Sequence, residues 1–101
     1  MMIILSGLEH SLAPIDLRER LSFTKQQTIE MVRQIRSFPH VAGCVLISTC
    51  NRTELYVSCT EETDPGQLLC QAAGTAYTPY RDAFMTLREK DAVRHLMEVA
   101  S

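Results

Sequence analysis

The chain has 101 residues, the length of one domain or of part of one. Hydrophobic residues make up 46% and charged residues 22%, which excludes an intrinsically disordered chain. Lys and Arg total 10 against 12 Asp and Glu, so the formal net charge is -2. This balance excludes a general polyanion binder, and any contact with nucleic acid must be local or shared with a part outside this chain.

Membrane and export signals are lacking in the sequence. No apolar run reaches the roughly 18 residues that span a bilayer. Residues 1–5 are apolar but have no basic leader, unlike a signal peptide. The four cysteines include no C-x2-C pair, which argues against a structural zinc site. We therefore expect a cytoplasmic protein without membrane contact, with no metal and with reduced thiols.

The first half of the chain predicts two strands and two helices. Residues 2–8 form a short apolar run typical of a buried strand. Pro14 fits the first position of a short helix. Thr24 and Gln27 have the spacing of a capping box, which opens a second helix. Residues 41–49 form an unbroken apolar run, which predicts a central strand covered on both faces.

In the second half, residues 55–59 alternate with period two, which predicts a half-buried strand. The five residues between this strand and the preceding one are too few for a crossover helix, so the two strands should be antiparallel neighbours. Asp64 and Pro65 open a third helix. Residues 83–88 give a weak last strand, and Asp91 caps a final helix with an apolar stripe formed by Val93, Leu96, Met97 and Ala100.

The predicted order is β-α-β-β-α-β followed by a helix. This order is that of an α+β, ferredoxin-like fold: a four-stranded antiparallel sheet with helices packed on one face, plus a C-terminal helix. Many unrelated functions use this fold, so its prediction does not decide the chemistry.

The segment S-T-C-N-R-T-E at residues 48–54 is the most unusual part of the chain. A strand delivers Cys50 into a short polar turn, where a thiol is held by a rigid element and stays accessible, as a nucleophile requires. A neighbouring cation favours the thiolate, and Arg52 is two residues away. Thr49, Asn51 and Thr53 can donate hydrogen bonds to a substrate carbonyl or carboxylate.

A purely structural interpretation of the same segment stays open. In that interpretation Asn51 and Thr53 only build a tight turn, Arg52 pairs with Glu54 in solvent, and Cys50 is a buried spacer. Packing explains the other cysteines, which lie in strands and a helix: Cys44, Cys59 and Cys70.

Three histidines offer further chemistry. His40 follows a proline in a surface turn, where it needs no function. His10 lies in the loop after the first strand and either anchors that loop by hydrogen bonds or joins a pocket. His95 lies beside the apolar stripe of the last helix, where it is either a core-edge residue or a base acting on a thiol.

Three segments together resemble the glutamyl-tRNA reductase family. Residues 7–23 (GLEHSLAPIDLRERLSF) resemble its opening G-x-x-H-x-x-A-P…R-E segment. Residues 48–56 (STCNRTELY) resemble its active-site segment, and residues 92–101 (AVRHLMEVAS) resemble its A-x-x-H-L-x-x-V-A-S helix. The three segments run from end to end of the chain in the family's order.

The resemblance implies a specific activity. The family reduces the glutamate carried by glutamyl-tRNA to glutamate-1-semialdehyde with NADPH, the first step of five-carbon-route tetrapyrrole (porphyrin) biosynthesis. Cys50 would attack the aminoacyl ester and form a thioester, which NADPH then reduces. Thr49, Asn51 and Arg52 would line the glutamate site, and His95 would be the activity-supporting histidine near the thiol.

The same resemblance implies that residues 1–101 are the N-terminal catalytic domain and that other domains are missing. The NADPH-binding domain and the helical domain that forms a homodimer would lie outside this chain, which contains no G-x-G-x-x-G. This chain alone should then not complete the reduction. The implied partners are glutamyl-tRNA and the downstream glutamate-1-semialdehyde aminotransferase. The alternative is a non-catalytic ferredoxin-like module that binds a metal, heme or partner through Cys and His.

Overall fold

The computed structural model describes residues 1–99 in full and the backbone of residue 100. The described part of the chain contains four strands, four α-helices and two short 3-10 helices. The strands are β1 (Met2–Glu9), β2 (Val41–Ser48), β3 (Arg52–Cys59) and β4 (Phe84–Arg88). The helices are α1 (Ile15–Arg20), α2 (Lys25–Arg36), α3 (Pro65–Ala73) and α4 (Glu89–Ala100), and the 3-10 turns are His10–Leu12 and Thr78–Ala83.

The four strands form one sheet in the order β2-β3-β1-β4, with every neighbouring pair antiparallel. This order, with helices between β1 and β2 and between β3 and β4, is the ferredoxin-like arrangement. The predicted α+β fold is therefore confirmed. Among the described residues, no helix combines the length and the apolar composition needed to cross a membrane.

The sheet has an apolar layer on each face. On one face the strands pack against α1, α2 and α3 through a cluster that includes Ile4, Leu8, Leu17, Leu21, Ile35, Leu55, Val57 and Leu69. On the other face Leu5 and Tyr56 pack against Ala92 of α4. The two central strands, β1 and β3, are thus covered on both sides, and they carry about half of the buried side chains.

Helix ends follow the predicted chemistry in two cases. Thr24 accepts a hydrogen bond from the backbone of Gln27, whose side chain returns one to the Thr24 backbone, so the predicted capping box is confirmed. Asp64 accepts from the backbone of Gly66 at 3.0 Å and caps α3, with Pro65 in its first turn. These caps fix where α2 and α3 begin.

The prediction that residues 41–49 form a central strand is wrong. In this topology β3 lies between β1 and β2, so β2 is at the edge of the sheet and the alternating strand is the one that is buried on both faces. Leu46 of β2 packs against the helices, but Val45 on the opposite face is 46% exposed. Helix α4 packs mainly on β1 and β4, towards the edge of the sheet opposite β2, and Val45 stays largely uncovered.

The last helix also differs from its prediction. It begins at Glu89, so Asp91 lies in its first turn and is not its cap. Ala92 and Leu96 pack on the sheet, whereas Met97 of the predicted stripe is 68% exposed. The stripe position at residue 100 lies outside the described side chains. The helix therefore meets the sheet along a line one residue away from the predicted one, and His95 is on the inward side.

Candidate functional site

A four-residue turn joins β2 to β3 and carries Cys50 at its apex. The Thr49 backbone N–H donates to the carbonyl of Arg52 at 2.9 Å and closes the turn. The Thr49 hydroxyl oxygen accepts from the backbone N–H groups of Asn51 and Arg52, each at 3.2 Å. Thr49 therefore acts inside the turn, because its hydroxyl satisfies two amides that would otherwise lack a partner.

His10 forms hydrogen bonds to the same turn from the other side. Its backbone N–H donates to the carbonyl of Asn51 at 3.0 Å, and its ring Nδ1 lies 3.1 Å from the carbonyl of Cys50. The two peptide groups after Cys50 thus point their carbonyls at His10 and their amides at Thr49. We conclude that His10 is the loop anchor that the sequence offered as one of two interpretations, and that the Cys50 backbone is fixed on both sides.

The second ring nitrogen of His10 ties this loop to the core. Nε2 lies 3.0 Å from the hydroxyl oxygen of Thr53, and that hydroxyl donates its own proton to the carbonyl of Leu21 at 2.6 Å. The ring therefore links the Cys50 turn to Thr53 and, through the Thr53 hydroxyl, to the end of α1.

The thiol of Cys50 is exposed, unlike the other three. Burial raises the pKa of the Cys44 and Cys59 thiols, and it raises the pKa of Cys70 to about 11. Thiolate, not thiol, is the nucleophile, so these three cysteines are poorly suited to react at neutral pH. The assumption of a buried spacer at Cys50 is wrong, whereas the prediction that packing accounts for Cys59 and Cys70 agrees with their burial.

Cys50 lines a groove of about 420 Å³ that has an unusual concentration of cations. Arg18 of α1 and Arg52 at the start of β3 both line it. Asn51, His10 and Ser11 supply neutral or titratable polar groups, and Glu9 is the one acid among the lining residues; the complete set is Glu9, His10, Ser11, Arg18, Cys50, Asn51 and Arg52. The groove therefore places an exposed thiol beside two guanidinium groups, an environment that suits an anionic ligand.

A second cleft of about 270 Å³ adjoins the groove and contains a buried carboxylate. Glu54 is only 2% exposed and accepts hydrogen bonds from His95 Nε2 at 2.6 Å and from the Tyr56 hydroxyl at 3.1 Å. Arg52 Nη1 lies 3.8 Å from the same carboxylate. The pairing of Arg52 with Glu54 in the structural interpretation of the sequence is present, but its placement in solvent is wrong, because the Glu54 side chain is buried.

Burial and the negative charge of Glu54 raise the pKa of Tyr56, so the phenol remains the donor in this network. Glu54 in turn fixes the orientation of His95. Only Nε2 of His95 has a partner among the side chains that the structure describes, which leaves Nδ1 for a ligand.

The predicted site residues fall into two neighbouring groups. Thr49, Cys50, Asn51 and Arg52 share one turn, while His95 lines the adjoining cleft. Arg52 and Glu9 line both the groove and the cleft, so Arg52 lies between the thiol and the imidazole. Cys50 lines only the groove and His95 only the cleft, and Arg52 is the residue that connects the two sites.

Two residues of the site were missed by sequence reasoning. Glu54 is in phase with Tyr56 on β3, and a carboxylate on the inward face of a strand is a signal that could have been used. Arg18 follows the buried Leu17 on α1; it is the arginine of the R-E pair in the segment that resembles the family, and that motif was the signal that could have drawn attention to it.

The alternative of a metal-binding module gains no support from the structure. Across residues 1–99, no group of three or more His, Cys, Asp or Glu side chains is placed to hold a metal ion. The groove of Cys50, the exposed thiol, holds two arginines, and Glu9 and His10 are its other lining residues with acidic or imidazole side chains.

Comparison with known proteins identifies the family. The model of the glutamyl-tRNAGlu reductase N-terminal domain matches residues 6–101. A glutamyl-tRNA reductase of Alkaliphilus oremlandii is 41% identical over 99% of this chain and 30% of its own length. One of Synechococcus sp. is 40% identical over 100% of this chain and 24% of its own length.

A third relative is named a probable multifunctional siroheme biosynthesis protein in Ruminiclostridium josui, with 42% identity over 97% of this chain and 20% of its own length. The chain thus spans less than a third of each of these relatives. The match to the family model covers nearly every residue of the chain, including the Cys50 turn and α4. The chain therefore belongs to the glutamyl-tRNA reductase family and corresponds to its N-terminal domain.

Proposed function

We propose that this chain performs the acyl-transfer step of a glutamyl-tRNA reductase. In this step Cys50 takes the glutamyl group from glutamyl-tRNA as a thioester. The observation that carries the proposal is the state of Cys50: exposed at the apex of a turn whose peptide groups are held on both sides, in a groove with two arginines. Burial raises the pKa of the other three thiols and so disfavours their reactive thiolate forms.

The proposed step is a simple exchange of acyl carriers. The Cys50 sulfur attacks the ester carbonyl carbon, a C–S bond forms, and the C–O bond to the terminal ribose breaks. The ribose oxygen takes up a proton, and nothing is oxidised or reduced. A rigid turn favours this reaction because it holds the sulfur in place without the entropic cost of ordering a flexible loop.

Arg52 is the proposed partner of the glutamate side-chain carboxylate. Its guanidinium offers two parallel N–H donors that match a carboxylate. The buried Glu54 at 3.8 Å holds that guanidinium near the groove. Asn51, exposed on the same turn, is the proposed neutral donor of the site, and Thr49 serves it indirectly by fixing the turn.

His95 is proposed as the group that exchanges a proton with the substrate. The 2.6 Å contact with Glu54 orients the ring. This assignment places the proton carrier on the far side of Arg52 from the thiol, so it serves the substrate and not Cys50 directly.

The reduction that completes the family reaction does not fit this chain. A dinucleotide site uses a parallel sheet and a glycine-rich turn between a strand and a helix. The described sheet is antiparallel, and the four glycines lie apart at Gly7, Gly43, Gly66 and Gly74. We therefore propose that NADPH binds outside residues 1–101. Family membership extends the same proposal to homodimer formation and to contact with the aminotransferase, and it assigns the chain to cytoplasmic tetrapyrrole biosynthesis.

Selective alkylation tests the nucleophile. Iodoacetamide at neutral pH should modify Cys50 much faster than Cys44, Cys59 or Cys70, and peptide mapping by mass spectrometry measures the four rates. Equal rates would count against the proposal and favour a binding module. In the full-length protein Cys50→Ser should abolish reduction of glutamyl-tRNA but retain tRNA binding, whereas the matched variant Cys44→Ser should keep activity.

A further inference from the structure

Arg18 lines the Cys50 groove, and its guanidinium forms no ion pair with the residues that the structure describes. Its Nε is shielded from water and makes no hydrogen bond. Arg52 in the same groove differs, since it lies 3.8 Å from the buried carboxylate of Glu54. Glu9, the acid of the groove, accepts instead from the Ser11 hydroxyl at 3.3 Å.

An unpartnered guanidinium donor that is shielded from water is unfavourable. A buried donor that makes no hydrogen bond costs about 1–3 kcal/mol, and more on a charged group. Native proteins rarely keep such a donor without a reason. An oxyanion in the groove would compensate the charge of the Arg18 guanidinium, and the planar fork of arginine matches carboxylate or phosphate.

The substrate of the proposed function has two anionic groups on opposite sides of its reacting ester. One is the glutamate side-chain carboxylate, and the other is the phosphate on the 5′ oxygen of the terminal ribose. The groove likewise has two guanidinium groups from different elements, Arg18 on α1 and Arg52 on β3, with Cys50 in the same hollow. The proposed function already assigns the glutamate carboxylate to Arg52, which leaves Arg18 for the phosphate.

We propose that Arg18 binds the phosphate of the terminal nucleotide of glutamyl-tRNA and so positions the ester over Cys50. This inference rests on the proposed function and adds a phosphate subsite to it. The groove then binds the substrate at both ends: Arg52 binds the amino acid and Arg18 binds the nucleotide. It also gives a chain with a net charge of -2 a local contact with nucleic acid.

Two small esters separate the phosphate contact from the rest of the tRNA. The probes are the 2′(3′)-O-glutamyl esters of adenosine and of adenosine 5′-monophosphate, which differ only in the phosphate. The full-length protein is mixed with each ester without NADPH, and the rate of glutamyl adduct formation is followed by mass spectrometry. We expect the phosphorylated ester to acylate Cys50 at least about tenfold faster, the lower value for a charged hydrogen bond.

Variants on two elements then assign the effect. Arg18→Gln should lower the rate with the phosphorylated ester towards that with the adenosine ester and so remove the preference, and Arg18→Lys should restore part of it. Arg20→Gln is the matched control, because Arg20 is exposed on the same helix and lies outside the groove, and it should keep the preference. Arg52→Gln should slow both esters equally.

The outcomes separate this inference from the proposed function. Equal rates for the two esters in the wild-type protein would overturn the phosphate subsite but leave the nucleophile standing. Equal slowing of both esters by Arg18→Gln would also overturn it, since Arg18 would then act on the glutamate or on the turn. If neither these esters nor glutamyl-tRNA form an adduct that Cys50→Ser removes, the proposed function itself fails.

Discussion

Replacing His10 by Asn tests whether the ring anchors the Cys50 turn. An Asn side chain can place an N–H near the position of Nδ1, so the bond to the Cys50 carbonyl is retained. It is too short to reach Thr53, so the 3.0 Å contact of Nε2 is lost and a void opens where the outer half of the ring lay. His10 is only 7% exposed, and the neighbouring core cannot easily fill that void.

The lost hydrogen bond is worth about 1 kcal/mol. The void costs about 1 kcal/mol more, a value typical of removing one or two buried non-hydrogen atoms. The free energy of unfolding should therefore fall by about 2 kcal/mol. For a domain of about 100 residues this corresponds to a drop in Tm of roughly 8–16 °C.

Thermal unfolding followed by circular dichroism measures the effect. His40→Asn is the matched control, because His40 is exposed and has a φ of 69°, a conformation that Asn tolerates. The control should stay within about 0.5 kcal/mol of the wild type. If His10→Asn and His40→Asn unfold at the same temperature, the ring of His10 does not anchor the turn.

Three further predictions concern the glycines, a thiol and the groove. A Cβ on Gly7 would lie 3.2 Å from the terminal methyl of Met85 and 3.4 Å from Glu54. The Met85 side chain is 41% exposed and can move aside, so Gly7→Ala should lower the free energy of unfolding by no more than about 1 kcal/mol in urea titration, and Gly43→Ala, with open space around it, should not lower it. Burial raises the pKa of Cys70 from 9.0 to about 11, so this thiol loses its proton at lower pH in the unfolded chain than in the folded one. The free energy of unfolding should therefore fall as the pH rises from 9 towards 11. In pH-dependent unfolding, Cys70→Ala should flatten that profile. Arg52→Lys should raise the KM for glutamyl-tRNA about tenfold by removing the fork; unchanged kinetics would make Arg52 structural.

The order of the elements could be predicted from the sequence because each element has a local signal. The capping box at Thr24 and the Asp64 cap are set by neighbours within three residues, and both are found in the structure. The burial of β2 and β3 could not be predicted in this way. An apolar run indicates only that a strand contacts something apolar, and the position of each strand is decided by which strands pair across the sheet.

The site was predictable only in part for the same reason. The Cys50 turn is a continuous segment, so its residues could be recognised together. The contact between His95 and Glu54 joins residues 41 positions apart and depends on how α4 lies on the sheet. The partnerless state of Arg18 is likewise a property of the packed groove and has no local signature.

Mass spectrometry of the full-length protein mixed with glutamyl-tRNA in the absence of NADPH is the most direct test of the central claim. The account predicts one added glutamyl group, released by hydroxylamine as expected of a thioester and mapped to the peptide that contains Cys50. A protein that stays unmodified, or an adduct on another residue, would contradict it.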